Sequence, residues 1–324
     1  MRARFVRSLA APAVAVCCLA LPALADDYPS RPIRVITNTS AGGLSDIFAR
    51  AVGEELHKRW GQPLIVDNRP GGSQNVGVRA CADAAPDGYT ICIINADPLT
   101  YNPFLFKNLP FDPEHSVQPV TQLFHLSQVL VVSGAIKAKS VDELVDYSKQ
   151  NPGTLSYSTA APPLALYMEN LKRDFGADWV RVPFKGGGDA VNGILSGSVP
   201  LGLIGVGNVM GHMQAGTMTG LVIGNDVRSP LFPDIPTLAE SGYRGPSSRS
   251  WYGLFTPLGV AQAVVDKLAK EVAMIAADAG FRQRNLIGRG LVPVLNSPEE
   301  FARVIRADRA IAAQVAKDSK LEQL

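Results

Sequence analysis

The sequence predicts an α/β protein built from alternating strands and helices. Apolar strand-like runs such as residues 33–36 and 63–68 are each followed by a segment with helical periodicity. Gly-rich loops stand at several of these strand-to-helix junctions. Repeated units of this kind favour mostly parallel sheets. The 324 residues are long for one compact domain and comfortable for two.

The first 25 residues have the layout of a secretory signal. A start with three arginines leads into an apolar run at residues 9–24 that two prolines interrupt. Ala23-Leu24-Ala25 then places small residues where a signal peptidase reads the chain. A membrane anchor is the alternative, but the run is broken and shorter than the ~20 residues of a span. We therefore predict an exported, periplasmic protein that is cleaved after Ala25.

Composition predicts a folded protein and gives no sign of the strong positive charge typical of nucleic-acid-binding proteins. Hydrophobic residues make up 46% and charged residues 19% of the chain. Loss of residues 1–25 removes three arginines and no acids, so Lys+Arg falls from 31 to 28 against 29 Asp+Glu. The formal charge then changes from +2 to −1. A chain of this charge does not predict nucleic-acid binding.

Two cysteines, Cys81 and Cys92, remain after removal of the signal. In an exported protein they can form a disulfide, which we predict here as a possible pairing. They can also be two small buried apolar residues. The chain has neither a CxxC motif nor a cysteine–histidine cluster, so we predict no metal site and no cofactor.

The elements of the N-terminal half follow from apolar runs and breakers. Residues 33–36 form the first predicted strand, the loop TNTSAGGLSD spans residues 37–46, and residues 47–60 form a helix that Gly61 ends. Further predicted elements are a strand at 63–68, a helix at 75–84, a strand at 89–94 and a strand at 129–133.

The C-terminal half continues the alternation. Ser140 with Glu143 three residues later predicts a capped helix start, and Asn151-Pro152-Gly153 ends that helix. Two long amphipathic helices close the chain, the second beginning at Ser297 as N-cap. Further predicted strands are residues 155–158, 179–184, 200–204 and 221–224.

Three Gly-rich loops predict an anion site. AGGLSD at 41–46, RPGGSQN at 69–75 and FKGGGDA at 184–190 each follow a predicted strand. In such loops backbone N–H groups reach a ligand without side chains in the way, and a helix start favours an anion. The alternative is that the glycines only permit tight turns and that Asp46 and Asp189 only cap helices.

An enzyme is the competing interpretation. GVGNVMG at 205–211 follows an apolar strand and resembles a dinucleotide fingerprint, with Asp226 at the end of the next strand. The spacing is G-x-G-x-x-x-G, and the intervening helix is short for a normal crossover. The sequence contains no G-x-S-x-G, H-E-x-x-H or Walker A motif, and its four histidines lack ligand spacing. These observations favour a binding protein.

Longer stretches resemble the Bug family of periplasmic solute-binding receptors, which includes receptors of tripartite tricarboxylate transporters. The resemblance runs in register over essentially the whole chain after the signal. Its motifs are DYPSRPIRVI (27–36), AGGLSDIFAR (41–50), VDNRPGGSQNVG (66–77), PDGYT (86–90), VPFKGGGDAVNGILSGSV (182–199), FPDIPTLAESGY (232–243) and WYGLFTP (251–257).

The resemblance implies a Venus-flytrap fold, similar to type II periplasmic binding proteins, with two α/β domains around a cleft. The implied domains are 26–128 with 252–324, and 129–251, with chain crossings near 128–133 and 251–256. It also implies a monomeric receptor rather than an enzyme, which captures a small carboxylate for the membrane subunits of a tripartite tricarboxylate-type transporter. A sensor that partners a signalling protein stays open as an alternative.

The resemblance further implies that the loop after the first strand holds the carboxylate through backbone N–H groups and ordered water. Two departures leave the ligand open among dicarboxylates, amino acids, aromatic acids and keto acids. Asn38-Thr39 stands where the family usually has Pro-Phe, and residues 159–163 lack the family's Gly-x-Gly-Ser run and histidine. The candidate ligand-binding residues are Ser40, Ala41, Gly42, Gly43, Ser45, Asp46, Gly72, Ser73, Asn75, Asn95, Ser158, Thr159, Phe184, Lys185, Gly186 and Gly187.

Overall fold

The structure of the protein is a computed structural model. It describes residues 28–159, 162–182, 187–229, 231–248, 250–319 and 323. The predicted signal segment and its cleavage site lie outside these ranges. None of the helices within them combines the length and apolar character needed to cross a membrane.

The described chain alternates strands and helices, as the sequence predicts. The strands are β1 (Ile33–Thr37), β2 (Leu64–Asn68), β3 (Thr90–Asn95), β4 (Val117–Leu126), β5 (Gln128–Ser133), β6 (Ser156–Thr159), β7 (Val180–Arg181), β8 (Leu201–Gly205), β9 (Met218–Ile223), β10 (Ser250–Pro257) and β11 (Leu291–Pro293). The helices are α1 (Leu44–Trp60), α2 (Asn75–Ala82), α3 (Asp97–Thr100), α4 (Asn102–Leu105), α5 (Val141–Gln150), α6 (Pro162–Phe175), α7 (Gly187–Ser196), α8 (Val206–Gln214), α9 (Gln262–Ala277), α10 (Ala279–Asn285) and α11 (Pro298–Ser319).

Among the described residues the strands form two sheets, each the centre of one lobe. The first lobe contains a six-stranded sheet of order β11-β4-β10-β3-β1-β2. The second lobe contains a five-stranded sheet of order β7-β6-β8-β5-β9. The fold is therefore a two-domain α/β architecture, as the resemblance implied.

The chain changes sheets twice. It leaves the first lobe between β4, which ends at Leu126, and β5, which begins at Gln128. It returns between β9 and β10, which begins at Ser250. These changes lie next to the two crossings that the resemblance implied.

Pairing is mixed rather than mostly parallel, so that part of the sequence prediction was wrong. β1 pairs in parallel with β2 and β3, and β6 pairs in parallel with β7 and β8. The strands beside the crossings pair antiparallel instead, β10 with β3 and β4, and β5 with β8 and β9. A strand that enters a sheet directly from the other lobe is not constrained by a helical crossover to run in parallel.

The C-terminal helix α11 packs against both lobes. Phe301 and Ile305 near its start belong to a first-lobe core with Trp251 and Phe255. Further along the helix, Ala312 and Val315 belong to the core built around the second sheet. The lobes are therefore joined by this helix as well as by the two strand crossings.

The structure contains a disulfide between Cys81 in α2 and Cys92 in β3. Their Cα atoms lie 6.2 Å apart, within the usual range for a bridge. Both residues are fully buried in the apolar core between these elements. The pair therefore forms a disulfide and is also buried among apolar residues, so both interpretations from the sequence describe it.

Candidate functional site

A cavity of about 220 Å³ lies between the two lobes. It has room for several water molecules or for a small organic acid. Its wall combines helix starts, side-chain amides and hydroxyls, tyrosine rings and one carboxyl group. The described lining residues are Thr39, Gly43, Leu44, Gln74, Asn95, Asp97, Tyr101, Leu126, Gln128, Pro163, Leu164, Tyr167, Gly205, Asn208, Ser248, Ser250 and Tyr252.

The start of α1 opens onto this cavity. Gly43 is the N-cap residue, in an extended conformation with φ −72° and ψ 165°, and it offers no side chain to cap the helix. The first-turn N–H groups of a helix have no intrahelical acceptor and carry the positive end of the helix dipole. Gly43 and Leu44 line the cavity, so this donor-rich helix start borders the space for a ligand.

Asp46 and Ser45 hold the shape of the loop behind the cavity wall. Asp46 accepts hydrogen bonds from the Gly42 N–H (2.9 Å) and from Arg50 Nε (3.1 Å). Burial alone would raise the pKa of Asp46, but hydrogen bonds from Arg50, Gly42 and Asn68 hold that pKa below its usual value. Ser45 Oγ lies 2.5 Å from Thr39 Oγ1. Neither Ser45 nor Asp46 is among the described lining residues.

The loop leaves no space for a side chain at Gly43. A Cβ atom placed there would lie 2.7 Å from Thr39 Oγ1 and 3.0 Å from the Ser40 carbonyl oxygen. Within the loop the Gly43 N–H donates to that carbonyl (3.0 Å), which closes the turn. Ser40, Ala41 and Gly42 are exposed beside it and are not among the described lining residues.

The loop between β2 and α2 contributes Gln74 to the cavity. Three successive residues, Gly72, Ser73 and Gln74, have positive φ values of 54°, 50° and 73°. Positive φ is uncommon for residues other than glycine and concentrates at functional sites. Asn102 Nδ2 donates to the Ser73 carbonyl (3.0 Å) and to Asn75 Oδ1 (2.7 Å), which holds this turn from behind.

A buried chain of polar side chains runs from β1 to the start of α3. Asn38 Nδ2 donates to Asn95 Oδ1 (2.7 Å), and the Asn95 side chain hydrogen-bonds the Asp97 carboxyl. Asp97 lines the cavity and is only 9% exposed. Burial raises the pKa of Asp97 to about 6. The hydrogen bond with Asn95 lowers this pKa and offsets part of the effect of burial. Burial, with a smaller contribution from Asp97, raises the pKa of Tyr252 on the neighbouring wall.

The second lobe faces this wall with another helix start and three polar side chains. Gly205 is the N-cap residue of α8 and offers no side-chain cap, and it lines the cavity together with Asn208. Gln128 and Ser248 line the same wall. Within the described chain, Gln128 Oε1 and Ser248 Oγ are buried without a hydrogen-bond partner, and so is Gln74 Oε1 opposite. Buried polar atoms are normally paired, so these atoms indicate a ligand or water that completes them.

The other candidate residues from the sequence differ in where they lie. Gly43 and Asn95 line the cavity. Gly72 and Ser73 belong to the loop that carries Gln74, whereas Asn75 is the first residue of α2. Ser158 and Thr159 are buried at the end of β6, outside the described lining. Phe184, Lys185 and Gly186 lie outside the described residues, and Gly187 begins α7. The roles assigned to these residues stay predictions.

Asp97, Gln128 and Tyr252 were missed at the sequence level. Asp97 follows the apolar run of β3 and stands among apolar residues, which is a signal for a buried acid that could have been recognised. Gln128 and Tyr252 belong to the crossing strands, and no local pattern marks them. They reach the cavity through strand pairing, Gln128 opposite Gly205 and Tyr252 opposite Asn95.

The segment GVGNVMG shows close backbone packing at Gly207 and does not belong to a dinucleotide-binding unit. A Cβ at Gly207 would lie 2.6 Å from the Arg289 carbonyl oxygen. The strands before and after α8 are not neighbours, because β5 lies between them and runs antiparallel to both. A dinucleotide fingerprint requires a βαβ unit of the parallel type at this point. Among the described residues, no group of three or more His, Cys, Asp or Glu side chains forms a metal site.

Sequence comparison shows similarity to a transporter receptor family over most of the chain. The profile of the tripartite tricarboxylate transporter family receptor matches residues 48–321. A UPF0065 protein of Bordetella pertussis is 30% identical over 295 residues, covering 90% of this chain and 91% of that protein. Protein BugT of the same organism is 29% identical over 290 residues, covering 89% of each chain.

Solved structures show the same architecture. A structure described as a periplasmic transporter has a TM-score of 0.82 at 34% identity and covers 91% of this chain and 99% of its own. An R. palustris protein solved with adipate has a TM-score of 0.84 at 27% identity, covering 92% and 100%. The protein MatC of Rhodopseudomonas palustris, solved with bound malate, has a TM-score of 0.77 at 26% identity, covering 89% and 100%.

Proposed function

The chain belongs to the tripartite tricarboxylate transporter receptor family, and from that premise we propose which solute this receptor captures and how. It is a solute-binding receptor with the two-domain fold of its relatives. We propose that it works in the periplasm and closes its two lobes around a small carboxylate. The loaded receptor then delivers the carboxylate to the membrane subunits of a transporter of the tripartite tricarboxylate type.

One observation carries this proposal. The start of α1, without a side-chain cap, borders a cavity of about 220 Å³ between the two lobes. First-turn N–H groups and the helix dipole favour an anion at such a position. The adipate and malate complexes of similar proteins support a carboxylate as that anion.

Contacts with both walls of the cavity explain how a bound ligand favours closure of the two lobes. One end of the ligand meets Gly43 and Leu44 of the first lobe, and the other side meets Gln128, Gly205 and Ser248 of the second lobe. A ligand that contacts both walls binds the closed arrangement better than an open one and therefore shifts the population toward it.

The lobe boundaries and processing belong to the same proposal. The resemblance implied a first lobe of 26–128 with 252–324 and a second lobe of 129–251. We propose limits one or two residues earlier, because Gln128 already belongs to β5 of the second sheet and Ser250 to β10 of the first. Helix α11 is an additional contact between the lobes. The mature chain begins at Asp26 after removal of the signal. The family and its solved relatives are binding proteins rather than enzymes, and we propose a binding role without catalysis here.

Leu44→Pro tests whether the helix start holds the carboxylate. Proline at the first helical position removes one backbone N–H without breaking a helical hydrogen bond, and the extended Gly43 accommodates it. Leu44→Ala is the matched control, because it also loses the leucine side chain but keeps the N–H. Isothermal titration with a panel of mono- and dicarboxylates, malate and adipate included, should show roughly 10-fold weaker binding for the proline variant, since a hydrogen bond to a charged group contributes about 1.5–3 kcal/mol.

Equal affinity of Leu44→Pro and Leu44→Ala for the bound acid would show that the carboxylate does not accept a hydrogen bond from the Leu44 N–H. Wild-type protein that binds no acid of the panel would contradict the receptor function with this ligand class. Circular dichroism melts of both variants check that the fold is retained.

A further inference from the structure

Asp97 is a carboxyl group in a cavity that is proposed to receive a carboxylate. It lines the space between the lobes, is 9% exposed, and hydrogen-bonds the Asn95 side chain. Within the described part of the chain, no ion pair joins it to a cationic side chain. A buried carboxylate without a counter-charge is costly, so its presence beside a ligand site requires a physical reason.

Two hydrogen-bond acceptors without a partner line the cavity together with Asp97. Gln74 Oε1 and Gln128 Oε1 line the same cavity, and both are buried acceptors without a partner among the described residues. The other titratable groups of the described wall are Tyr101, Tyr167 and Tyr252. Burial raises the pKa of Tyr101 and of Tyr252, so these two phenols are neutral at physiological pH. The described wall therefore gives Asp97 no counter-charge, which a cationic donor of the ligand can supply.

The opposite requirement holds at the start of α1, where backbone donors and the helix dipole favour an anion. A ligand with a carboxylate at one end and an ammonium group near it satisfies both ends of the cavity. A ligand with carboxylates alone would bring a second negative charge into a small buried space beside Asp97.

We propose that Asp97 pairs with an ammonium group of the ligand, so that this receptor selects amino acids over carboxylates without an amino group. The inference rests on the proposed function, because the α1 start must hold the carboxylate of the same molecule. Asp97 is then the residue that determines specificity, while Asn38 and Asn95 fix the position of its carboxyl group.

The test compares matched pairs of ligands that differ only in the amino group. Aspartate is compared with malate, glutamate with 2-hydroxyglutarate, and alanine with lactate, by isothermal titration at pH 7.5. Wild-type protein should bind the amino acid of the preferred pair about 100-fold more tightly than its hydroxy analogue, because loss of one partner of a buried charge pair has an effect of this order. Asp97→Asn should remove that preference.

An acid titration tests the same contact without a variant. The affinity of wild-type protein for the amino acid should fall as the pH decreases below about 6, where a proton competes for Asp97. The affinity of Asp97→Asn should stay constant over this range. Asp142→Asn, an exposed acid on α5 of the second lobe, is the matched control and should behave as wild type.

Three results would overturn the inference. Asp97→Asn that keeps the full amino acid preference would show that Asp97 does not contact the ammonium group. Tighter binding of malate or adipate than of any amino acid would assign the cavity to carboxylates without an amino group. Tighter carboxylate binding at acidic pH would show that a protonated Asp97 donates to the ligand instead. In the last two cases the receptor function stands and only the ligand class changes, whereas no binding of either class contradicts the receptor function with these ligands.

Discussion

At the scale of single residues, the cavity combines groups that are unfavourable in the empty protein. Asp97 is buried without a counter-charge among the described residues, and Gln74 and Gln128 have buried amide oxygens without partners. Each such group reduces the stability of the unliganded protein by a fraction of its desolvation cost. A complementary ligand pairs these groups and so removes their unfavourable contribution to the free energy. A ligand that cannot pair them binds more weakly, and the same groups therefore contribute to selectivity.

The first residue-scale prediction concerns the stability of the unliganded protein. Burial raises the folded-state pKa of Asp97 from 3.8 to about 6, so between about pH 4 and pH 6 the folded protein binds more protons than the unfolded chain. The free energy of unfolding therefore falls as the pH rises through this window, and the penalty is complete above it. Asp97→Asn should increase the free energy of unfolding at pH 7.5 by up to roughly 3 kcal/mol, at 1.36 kcal/mol per pKa unit.

Urea denaturation of ligand-free protein at pH 4.5 and pH 7.5 measures this effect. Asp97→Asn should differ from wild type mainly at pH 7.5, and the exposed Asp142→Asn should follow wild type at both values. An Asp97→Asn protein that is less stable than wild type at pH 7.5 would show that the carboxylate is compensated in the folded protein. A variant that gains stability and loses amino acid selectivity would connect both effects to the same carboxyl group.

The sequence indicated some residues of the cavity wall and missed others for a physical reason. Gly43 ends the loop after β1 and Asn95 ends β3, and at such positions loop glycines and polar side chains form a local pattern. Gln128 and Tyr252 reach the wall through pairing between distant strands, which no local pattern encodes. Asp46 has the local pattern of a site residue, but in the structure its carboxylate is occupied by Gly42 and Arg50.

At the scale of elements, the disulfide ties α2 to β3 beside the ligand loop. Its sequence separation of 11 residues gives a small closed loop. In the loop-entropy model a bridge of this size contributes about 3 kcal/mol to stability. Reduction of wild-type protein should therefore lower the free energy of unfolding by about that amount in urea denaturation. The double variant Cys81→Ala/Cys92→Ala is the control and should not respond to reductant.

Alkylation under non-reducing conditions, followed by mass spectrometry, checks the bridge directly. Two free thiols in oxidised protein would contradict the disulfide. A bridge whose reduction leaves stability unchanged would show that residual structure already brings α2 and β3 together in the unfolded chain.

Elements with strong local signals were predicted well, and elements defined by long-range pairing were not. The capped start of α11 is formed as predicted, with Glu300 N–H donating to Ser297 Oγ and Ser297 N–H donating to Glu300 Oε2 (3.2 Å each). The strand β4 was not predicted, and its sequence contains polar residues and a proline among the apolar ones. Its strand conformation depends on pairing with β10 and β11. The same dependence explains why antiparallel pairing was not anticipated.

At the scale of the whole molecule, the lobes are joined by more than the two strand crossings. The Tyr101 and Tyr167 hydroxyl groups lie 2.7 Å apart at the cavity, one from each lobe, and Tyr167 donates to the Ser247 carbonyl (2.8 Å). Ala312 and Val315 of α11 pack into the core of the second lobe. Opening of the lobes must therefore change the contact between α11 and the second lobe, and we predict that this contact limits how far the cavity opens.

The last prediction tests this limit with two matched truncations. Val315→Ala removes two methyl groups from the contact between α11 and the second lobe, and Val272→Ala removes the same groups from α9 in the core of the first lobe. Both side chains are at most 2% exposed, so both variants should lose about 1–2.5 kcal/mol of unfolding free energy. Only Val315→Ala should also raise the radius of gyration of the ligand-free protein in small-angle scattering, because of the two valines only Val315 lies in a contact between the lobes. A saturating ligand should restore the wild-type radius by closing the cavity, while the measured affinity falls by the extra cost of closure. Equal radii for the two ligand-free variants would show that the crossing strands alone set the opening of this receptor.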